Sequence, residues 1–488
     1  MSWKIRGNFS NESQYVMNKM KEKQLIIIGA GPGGYRAAFM ASDLGLDVTL
    51  IDPEINPGGV CLYRGCIPTK ALLHISKVRH FALEASSMGL HFGHPEIKIG
   101  EIRQWKNQVV EKLTGGLGQI VKSRKINYLR GYAHFLDSNT IEFKGIENGK
   151  QKLRFRNAII ATGVKPRQLP ELKFEDEGIM DAEEALDLND LPNSLLIIGG
   201  GYIGLEMAFI YNALGVKVTL VELTGGFMPG MDHDLTKEFE RSTKHLFEEV
   251  HFETTVSEVY RNESGWHVTL QKKDGNITNK QFDKVLLAIG EAPDHSNLGL
   301  DNTRVETDQH GFIKVDHQLH TNDPDILAIG DVTGEPMLAH KAFYEGRLAA
   351  EVLAGKNHVN DARVIPAVMH THPEMAACGL SEIKAKEEDL PHRIVKFPWS
   401  ASGRARAMNE SRGFTKLIIH PENERILGAA TIGKDAGDLI SELALAIEMS
   451  ATATDLGYTI HPHPTLSETI QESAEMFLGH PQHTIKKK

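Results

Sequence analysis

Apolar positions along the chain fall into short unbroken runs separated by glycine-rich turns, and one arrangement occurs twice. LIIIGAGPGGYRAAFMASDLGLDVTLID (25–52) and LLIIGGGYIGLEMAFIYNALGVKVTLVE (195–222) align without a gap, with 13 of 28 positions identical. Each opens on an apolar run of strand length, turns at glycines, continues with helical periodicity and closes on a second apolar run that ends in an acid. Both stretches read as βαβ units. Three further runs, NAIIATG (157–163), DKVLLAIG (283–290) and PDILAIGD (324–331), read as buried strands ending near a glycine. In doubly wound sheets ligands sit at such strand ends. MLAHKAFYEGRLAAEVLAG (337–355) reads as a helix. Beyond residue 362 the texture changes. Alternation in RIVKFPW (393–399) and FTKLIIH (414–420), with a helical stretch at 435–450, predicts a separate α+β domain.

The glycines give these units a chemical reading. Gly29, Gly31 and Gly34, and again Gly199, Gly201 and Gly204, spell G-x-G-x-x-G, and Asp52 and Glu222 each lie 18 residues past the third glycine. The first glycine permits the tight turn, the second lets backbone approach a pyrophosphate, and the third lets the helix pack on the strand. The helix N-terminus offers free N–H groups to phosphate, and the acid accepts a ribose diol. A lone motif of this kind also occurs as a ligand-free turn. Two complete units in the same register predict two bound dinucleotides.

Composition narrows the class. At ~150 residues per domain, 488 residues suggest about three domains. With 41% hydrophobic and 24% charged residues the chain reads as globular, and no apolar run reaches the ~18 residues that span a bilayer. The net charge of −10 argues against nucleic acid as a partner. Lys486, Lys487 and Lys488 read as a solvated tail. Residues 1–23 lack the apolar stretch of a signal peptide, and Glu12 and Glu22 count against an organellar presequence despite Lys4, Arg6, Lys19 and Lys21. They read as a poorly ordered extension. Three cysteines in a chain this long do not make a secreted disulfide scaffold.

Two of those cysteines stand together in GGVCLYRGCIPTKALL (58–73). A metal site, a structural disulfide and a redox-active pair are all open to Cys61 and Cys66. Structural zinc wants four ligands in paired knuckles, whereas Cys378 is remote in sequence. A structural disulfide here closes a tiny loop and stabilises little. A redox pair fits better. Pro68 suits the first turn of a helix starting near Cys66, whose N-terminus favours thiolate. Gly58 and Gly59 allow close approach to a flat cofactor. Lys70, four residues on, shares the face of Cys66, or is simply a solvated lysine. The last unusual stretch is TIHPHPTLSET (459–469). Glu468 either completes a capping box with Thr465 or orients His463 as a base.

In combination these motifs resemble the class I flavin disulfide reductases, the pyridine nucleotide-disulfide oxidoreductases, and among them the dihydrolipoyl dehydrogenases. ATG (161–163), AIGDV (328–332), MLAH (337–340) and FPWSASGRARAM (397–408) add to the likeness, which runs from about 24 to 479. The resemblance implies an α/β fold with two Rossmann-type domains, one inserted in the other, and a C-terminal α+β dimerisation domain. The expected boundaries are 1–23 for the extension, 24–164 for the FAD domain, 165–282 for the NAD domain, 283–362 for a central domain completing the FAD site, and 363–488 for dimerisation. It implies FAD held by the first unit with Asp52, Gly58, Gly59, Ala133, Thr162, Gly163, Asp331, Met337, Leu338, Ala339 and His340. The resemblance also implies a Lys70–Glu206 ion pair beside the flavin. NAD is expected on the second unit with Glu222, Val256 and Gly290. Cys61 is the implied interchange thiol and Cys66 the thiol facing the flavin. His463, from the other subunit of a homodimer, is the implied acid/base, oriented by Glu468. Electrons then pass from a dihydrolipoyl group through the disulfide and FAD to NAD⁺. The implied partner is a lipoylated acyltransferase of a 2-oxo acid dehydrogenase complex or a lipoylated glycine cleavage carrier. The implied compartment is a bacterial cytoplasm, with the mitochondrial matrix as the alternative. No metal, membrane or nucleic acid is implied.

Relatives and departures set the competing readings. Glutathione reductase is similar but usually prefers NADP, whose 2′-phosphate Glu222 repels. Mercuric reductase usually carries a further C-terminal cysteine pair, and no cysteine follows Cys378. A non-catalytic flavoprotein is the reading from another class. Asp52 stands where glutamate is more usual, Glu291 where arginine is common, and Pro462 where alanine is common. Tyr63-Arg64 replaces the commoner Asn-Val between the cysteines.

Overall fold

A computed structural model describes residues 22–147 and 149–485. The expected extension lies almost wholly outside the described residues, as does the lysine tail. The first repeat forms β1 (Lys23–Ile28), α1 (Pro32–Asp43) and β2 (Val48–Asp52). β1 pairs in parallel with β2 on one side and with Asn157–Ile160 on the other. Strand Ile326–Ala328 continues the sheet beyond Ile160, and Asn127–Arg130 flanks β2. Leu25, Ile26, Ile27, Leu50, Ile51, Ile159 and Ile160 are almost wholly buried, because helices pack on one face of the parallel sheet and antiparallel strands carrying Phe135, Ile141, Phe143 and Phe155 on the other. The second repeat builds the same order: Glu249–His251, Lys217–Val221, Ser194–Ile198, Lys284–Leu287 and Ile179–Met180 lie side by side, all parallel.

That order moves one expected boundary. The second unit does not end at residue 282, because Lys284–Leu287 pairs with Leu195–Ile198 and buries Val285, Leu286 and Leu287 in the second sheet. Residues 283–287 therefore belong with the second unit. The chain returns to the first through Glu291–Pro293, which pairs with the outgoing Val164–Pro166.

The last region is a five-stranded antiparallel sheet, in the order Ala367–Met369, Glu374–Gly379, Ile426–Gly433, Phe414–Ile419 and Arg393–Pro398. Helices Ala436–Glu448 and Glu468–Leu478 contribute their apolar faces to its core. It is tied to the second unit by a buried ion cluster. Lys416, fully buried, donates to Asp232 (2.9 Å), Asp234 (3.0 Å) and Glu382 (2.9 Å). Three clustered carboxylates resemble a cation site, but here the cation is a lysine ammonium. Burial works against the charge on Lys416, yet the three acids hold its pKa above the ordinary lysine range. Glu382, which burial would raise, is held down at about 2 by Lys386 and Lys416. Its support is thus present above the ordinary value of 4.5 and is lost as pH falls toward about 2. Lys416→Met leaves the buried Asp232 without its cation, while Asp234 and Glu382 keep Lys396 and Lys386, and is expected to cost about 3–5 kcal/mol, read as an earlier urea transition at pH 7 with flavin content unchanged in the folded protein.

Candidate active site

Directly after β2 the chain turns back beneath the first glycine loop. Gly58 N–H donates to the Ala30 carbonyl (2.8 Å), and the segment enters the short helix α2 (Gly59–Arg64). The approach is close: a Cβ on Gly59 would lie 2.5 Å from Gly31 Cα. The glycine turns themselves are as tight, since a Cβ on Gly29 would meet the Ala161 carbonyl at 2.3 Å and one on Gly199 the Ala288 carbonyl at 2.2 Å. The two acids act alike on these turns. Asp52 accepts from Ala30 N (2.6 Å) and Glu54 N (3.0 Å), and Glu222 accepts from Gly200 N (2.7 Å) and Thr224 N (2.8 Å). A carboxylate has about four acceptor sites, so each acid shapes its turn and keeps capacity for a ribose. Burial pushes Asp52 above its ordinary range against those two hydrogen bonds.

Cys61 lies in α2, and Cys66 is the first residue of the 19-residue helix α3 (Cys66–Glu84). The two thiols are free, Cys61 half-buried and Cys66 solvent-accessible. They differ in acidity. The hydrogen bond from Cys61 lowers the Cys66 pKa, opposed by burial and reinforced by Lys70. The same bond, with burial, pushes Cys61 up. The α3 N-terminus adds its partial positive charge at Cys66. Lys70 Nζ pairs with both carboxylate oxygens of Glu206 (3.0 and 2.9 Å), which is buried on helix Tyr202–Ala213 of the second unit. His370 N also donates to Glu206 (3.1 Å).

Asp331 sits in a tight turn at the end of strand Ile326–Ala328. Its Oδ1 and the Thr162 hydroxyl are buried without a hydrogen-bond partner. Buried polar atoms are normally satisfied, so these two mark a place for a polar ligand between the first glycine loop and the thiols. Met337 and Leu338 lead into helix Ala339–Leu353, with Leu338 at its N-cap. His340 turns its ring to the Pro366 carbonyl (2.7 Å), so its side chain is committed away from the turn. Ala133 is buried in strand Asn127–Asp137 opposite Phe143. Gly163 and Gly290 adopt φ of +72° and +103° at the ends of their strands. Val256 lies in strand Thr254–Asn262, whose Thr254 N–H donates to the Glu222 carbonyl (3.1 Å).

His463 and Glu468 form a pair of their own. His463 Nδ1 donates to Glu468 Oε1 (2.8 Å), while Glu468 Oε2 accepts from Thr465 N (2.7 Å). The expected capping box is not formed, because the helix begins at Glu468 with Ser467 at its N-cap and no side-chain cap; Glu468 instead closes the turn on Thr465 N and orients the ring. Burial would raise Glu468, but these hydrogen bonds hold it below its ordinary value. The His463 side chain is 75% exposed. Among the described residues no hydrogen bond or ion pair joins His463 to either thiol within one chain.

The pattern of the pyridine nucleotide-disulphide oxidoreductases matches residues 23–346, and that of their dimerisation domain matches 365–474. The chain belongs to the pyridine nucleotide-disulphide oxidoreductase family. It is similar to the dihydrolipoyl dehydrogenase of Vibrio cholerae, 45% identical over 95% of this chain and 97% of the relative. It is 46% identical to that of Buchnera aphidicola from Acyrthosiphon pisum, over 95% and 98%. Among solved structures LpdA from Mycobacterium tuberculosis superposes with a TM-score of 0.86 at 26% identity, covering 93% of this chain and 99% of that one. As a family member the chain is an oxidoreductase that uses FAD and NAD(H). Its dimerisation domain supports a homodimer. Near the exposed His463, Tyr458 and Ile460 stand 82% and 94% exposed, an apolar surface suited to a second copy. No helix among the described residues is long and apolar enough to cross a membrane.

Several supporting residues carry no motif and were not foreseen. Glu345 Oε2 accepts from Gly330 N (2.7 Å), and Lys341 donates to the Gly330 (3.2 Å) and Gly334 (3.0 Å) carbonyls, so the pair secures the Asp331 turn. Their i,i+4 spacing was the available signal. Glu291 is half-buried in the strand that rejoins the first unit, and burial, then Asp331, raises its pKa. Nothing in the structure explains why an acid stands there.

Proposed function

We propose that this protein is a dihydrolipoyl dehydrogenase, oxidising a protein-bound dihydrolipoyl group to lipoyl while NAD⁺ is reduced to NADH. The observation that carries the proposal is the placement of the cysteine pair, with Cys66 opening helix α3 one turn before the Lys70–Glu206 ion pair, on a chain whose curated relatives carry that name. A substrate thiolate attacks the Sγ of Cys61 in the disulfide form, and the Cys61–Cys66 bond breaks. The electron pair leaves on Cys66, whose thiolate is stabilised by Lys70 and the α3 N-terminus. A lower leaving-group pKa speeds such exchange. The second substrate thiol then attacks the first substrate sulfur, closing the lipoyl ring and releasing Cys61. His463, held by Glu468 and presented by the other subunit, takes one proton at its Nε2, and the departing Cys61 sulfur takes the other.

Asp52, Gly29, Gly31, Gly59, Thr162 and Asp331 are the residues that hold FAD, and the orphaned Thr162 and Asp331 oxygens fit its polar groups. When bound, FAD supplies the two-electron connection between the dithiol and NAD⁺. Lys70 and Glu206 set a fixed ion pair beside Cys66. The partner in this reading is a lipoylated acyltransferase or glycine cleavage carrier, and the compartment a bacterial cytoplasm.

The test is a steady-state assay of dihydrolipoamide, glutathione and Hg²⁺ with both nicotinamide cofactors. Turnover is expected with dihydrolipoamide and NAD⁺ alone. Glu222 repels a 2′-phosphate, so NADP⁺ is expected to be at least about tenfold poorer in kcat/KM, a difference of ~1.4 kcal/mol. A clear NADP preference contradicts the role of Glu222. A preference for glutathione or Hg²⁺ contradicts the substrate.

A further inference from the structure

Tyr63 and Arg64 lie between the two thiols on α2, and the chemistry above leaves them without a role. Both side chains reach fixed partners. Tyr63 Oη donates to the Asn56 carbonyl (3.0 Å) and accepts from the Asn56 amide (3.2 Å). Its ring packs against Gly58, where a Cβ would come within 3.1 Å of Cε2. Asn56 in turn presses on Gly118 of helix Ile99–Ser123, where a Cβ would lie 2.0 Å from Oδ1. The loop that carries the chain from Asp52 to the thiols is therefore closed on α2 by one phenol.

Arg64 makes the second tie. Its Nη1 pairs with Glu54, and its Nε with Glu183 at 2.7 Å. Glu54 is the residue whose amide donates to Asp52 and whose carbonyl accepts from the Tyr128 hydroxyl (3.1 Å). Glu183 stands in the first turn of helix Ala182–Asp187, in the second unit. One planar guanidinium, able to engage two acids in fixed directions, thus joins the inter-thiol segment to the first unit's loop and to the second unit's helix. The next residue, Gly65, separates α2 from α3.

We propose that Tyr63 and Arg64 are positioning residues for the redox pair: they hold α2, and with it Cys61, at a set distance and orientation from Cys66 across Gly65. The inference rests on the proposed function in that it assigns these residues to the cycling of that pair. A disulfide needs its two Cβ atoms at ~3.5–4.5 Å, so thiols held near that geometry close readily. Freeing α2 lowers their effective concentration and shifts the couple toward the dithiol.

The experiment uses full-length flavin-containing protein with Tyr63→Phe, Arg64→Gln or Arg64→Lys. Each is equilibrated in dithiothreitol redox buffers, and free thiols are trapped by alkylation and counted by mass. Relative to wild type, Tyr63→Phe and Arg64→Gln are expected to shift the disulfide–dithiol equilibrium toward dithiol by about three- to tenfold. Arg64→Lys, which keeps the charge but loses the fork, is expected to recover part of the shift. Wild-type equilibria in both Tyr63→Phe and Arg64→Gln overturn the proposal. So does lost flavin or lost far-UV dichroism with an unchanged couple in the folded fraction, which is what a merely structural role gives. A wild-type pair that never closes in these buffers also overturns it. The buffer dithiol is not the proposed substrate. Wild-type protein that cycles in the buffers but does not turn over dihydrolipoamide therefore sinks the proposed function and leaves this inference standing.

Discussion

Cys61→Ser is expected to abolish dihydrolipoamide turnover while FAD stays bound. The first half follows from bond counting, because without a sulfur at position 61 there is no disulfide to attack. The loss should therefore exceed the ~10²–10⁴-fold worth of a proton-transfer group and reach the background of the assay. The second half follows from the cradle. The close approach of Gly59 to Gly31, the Asp52 carboxylate and the orphaned Thr162 and Asp331 oxygens do not involve the Cys61 sulfur. Cys66 should also keep much of its acidity, because a serine hydroxyl can still donate to it and Lys70 remains in place. The measurements are turnover, flavin absorbance after dialysis, and the rate at which Cys66 is alkylated at neutral pH. Wild-type turnover in this variant rules out the disulfide relay.

His463→Gln is expected to slow the thiol half-reaction by about 10²–10⁴-fold and to leave hydride exchange with NAD almost unchanged. Glutamine can still donate to Glu468 but cannot take a proton at the position of Nε2. Stopped-flow measurement of each half-reaction separates the two, and equal losses in both contradict the role. Mixed dimers give a second measurement. His463 is exposed and makes no hydrogen bond or ion pair with either thiol of its own chain. If it serves the second copy, a dimer of one Cys61→Ser chain and one His463→Gln chain contains one intact site. Co-expression should then restore turnover that neither variant shows alone. No recovery in mixed dimers places His463 in its own chain's site, or outside the chemistry.

The α/β character was legible because its signal is local. Apolar runs of strand length followed by glycine and helical periodicity need no distant partner to be read, and the repeat doubled that signal. The boundary near 282 was misplaced for the opposite reason. Lys284–Leu287 is an apolar run like any other, and whether it joins the first or second sheet depends on pairing with Leu195–Ile198, about ninety residues away. Lys416 gave no sign of its burial either. Lysines are rarely buried unless paired, and its three acids come from two stretches far from it in the chain, Asp232 and Asp234 from one and Glu382 from the other.

The site divides along the same line. By itself the sequence determined the chemical types and their near spacing: two thiols with four residues between them, a helix beginning at the second, a lysine one turn later, two glycine loops each with an acid, and a histidine with a nearby glutamate. These follow from covalent connectivity and helical period. Tertiary structure alone decided that Glu345 secures the Asp331 turn, that Lys416 is buried among three acids, and that Tyr63 and Arg64 are anchored to Asn56, Glu54 and Glu183. The physical reason is range. Hydrogen bonds, burial and ion pairs act over a few ångströms in space, and the fold sets those distances between residues far apart in the chain.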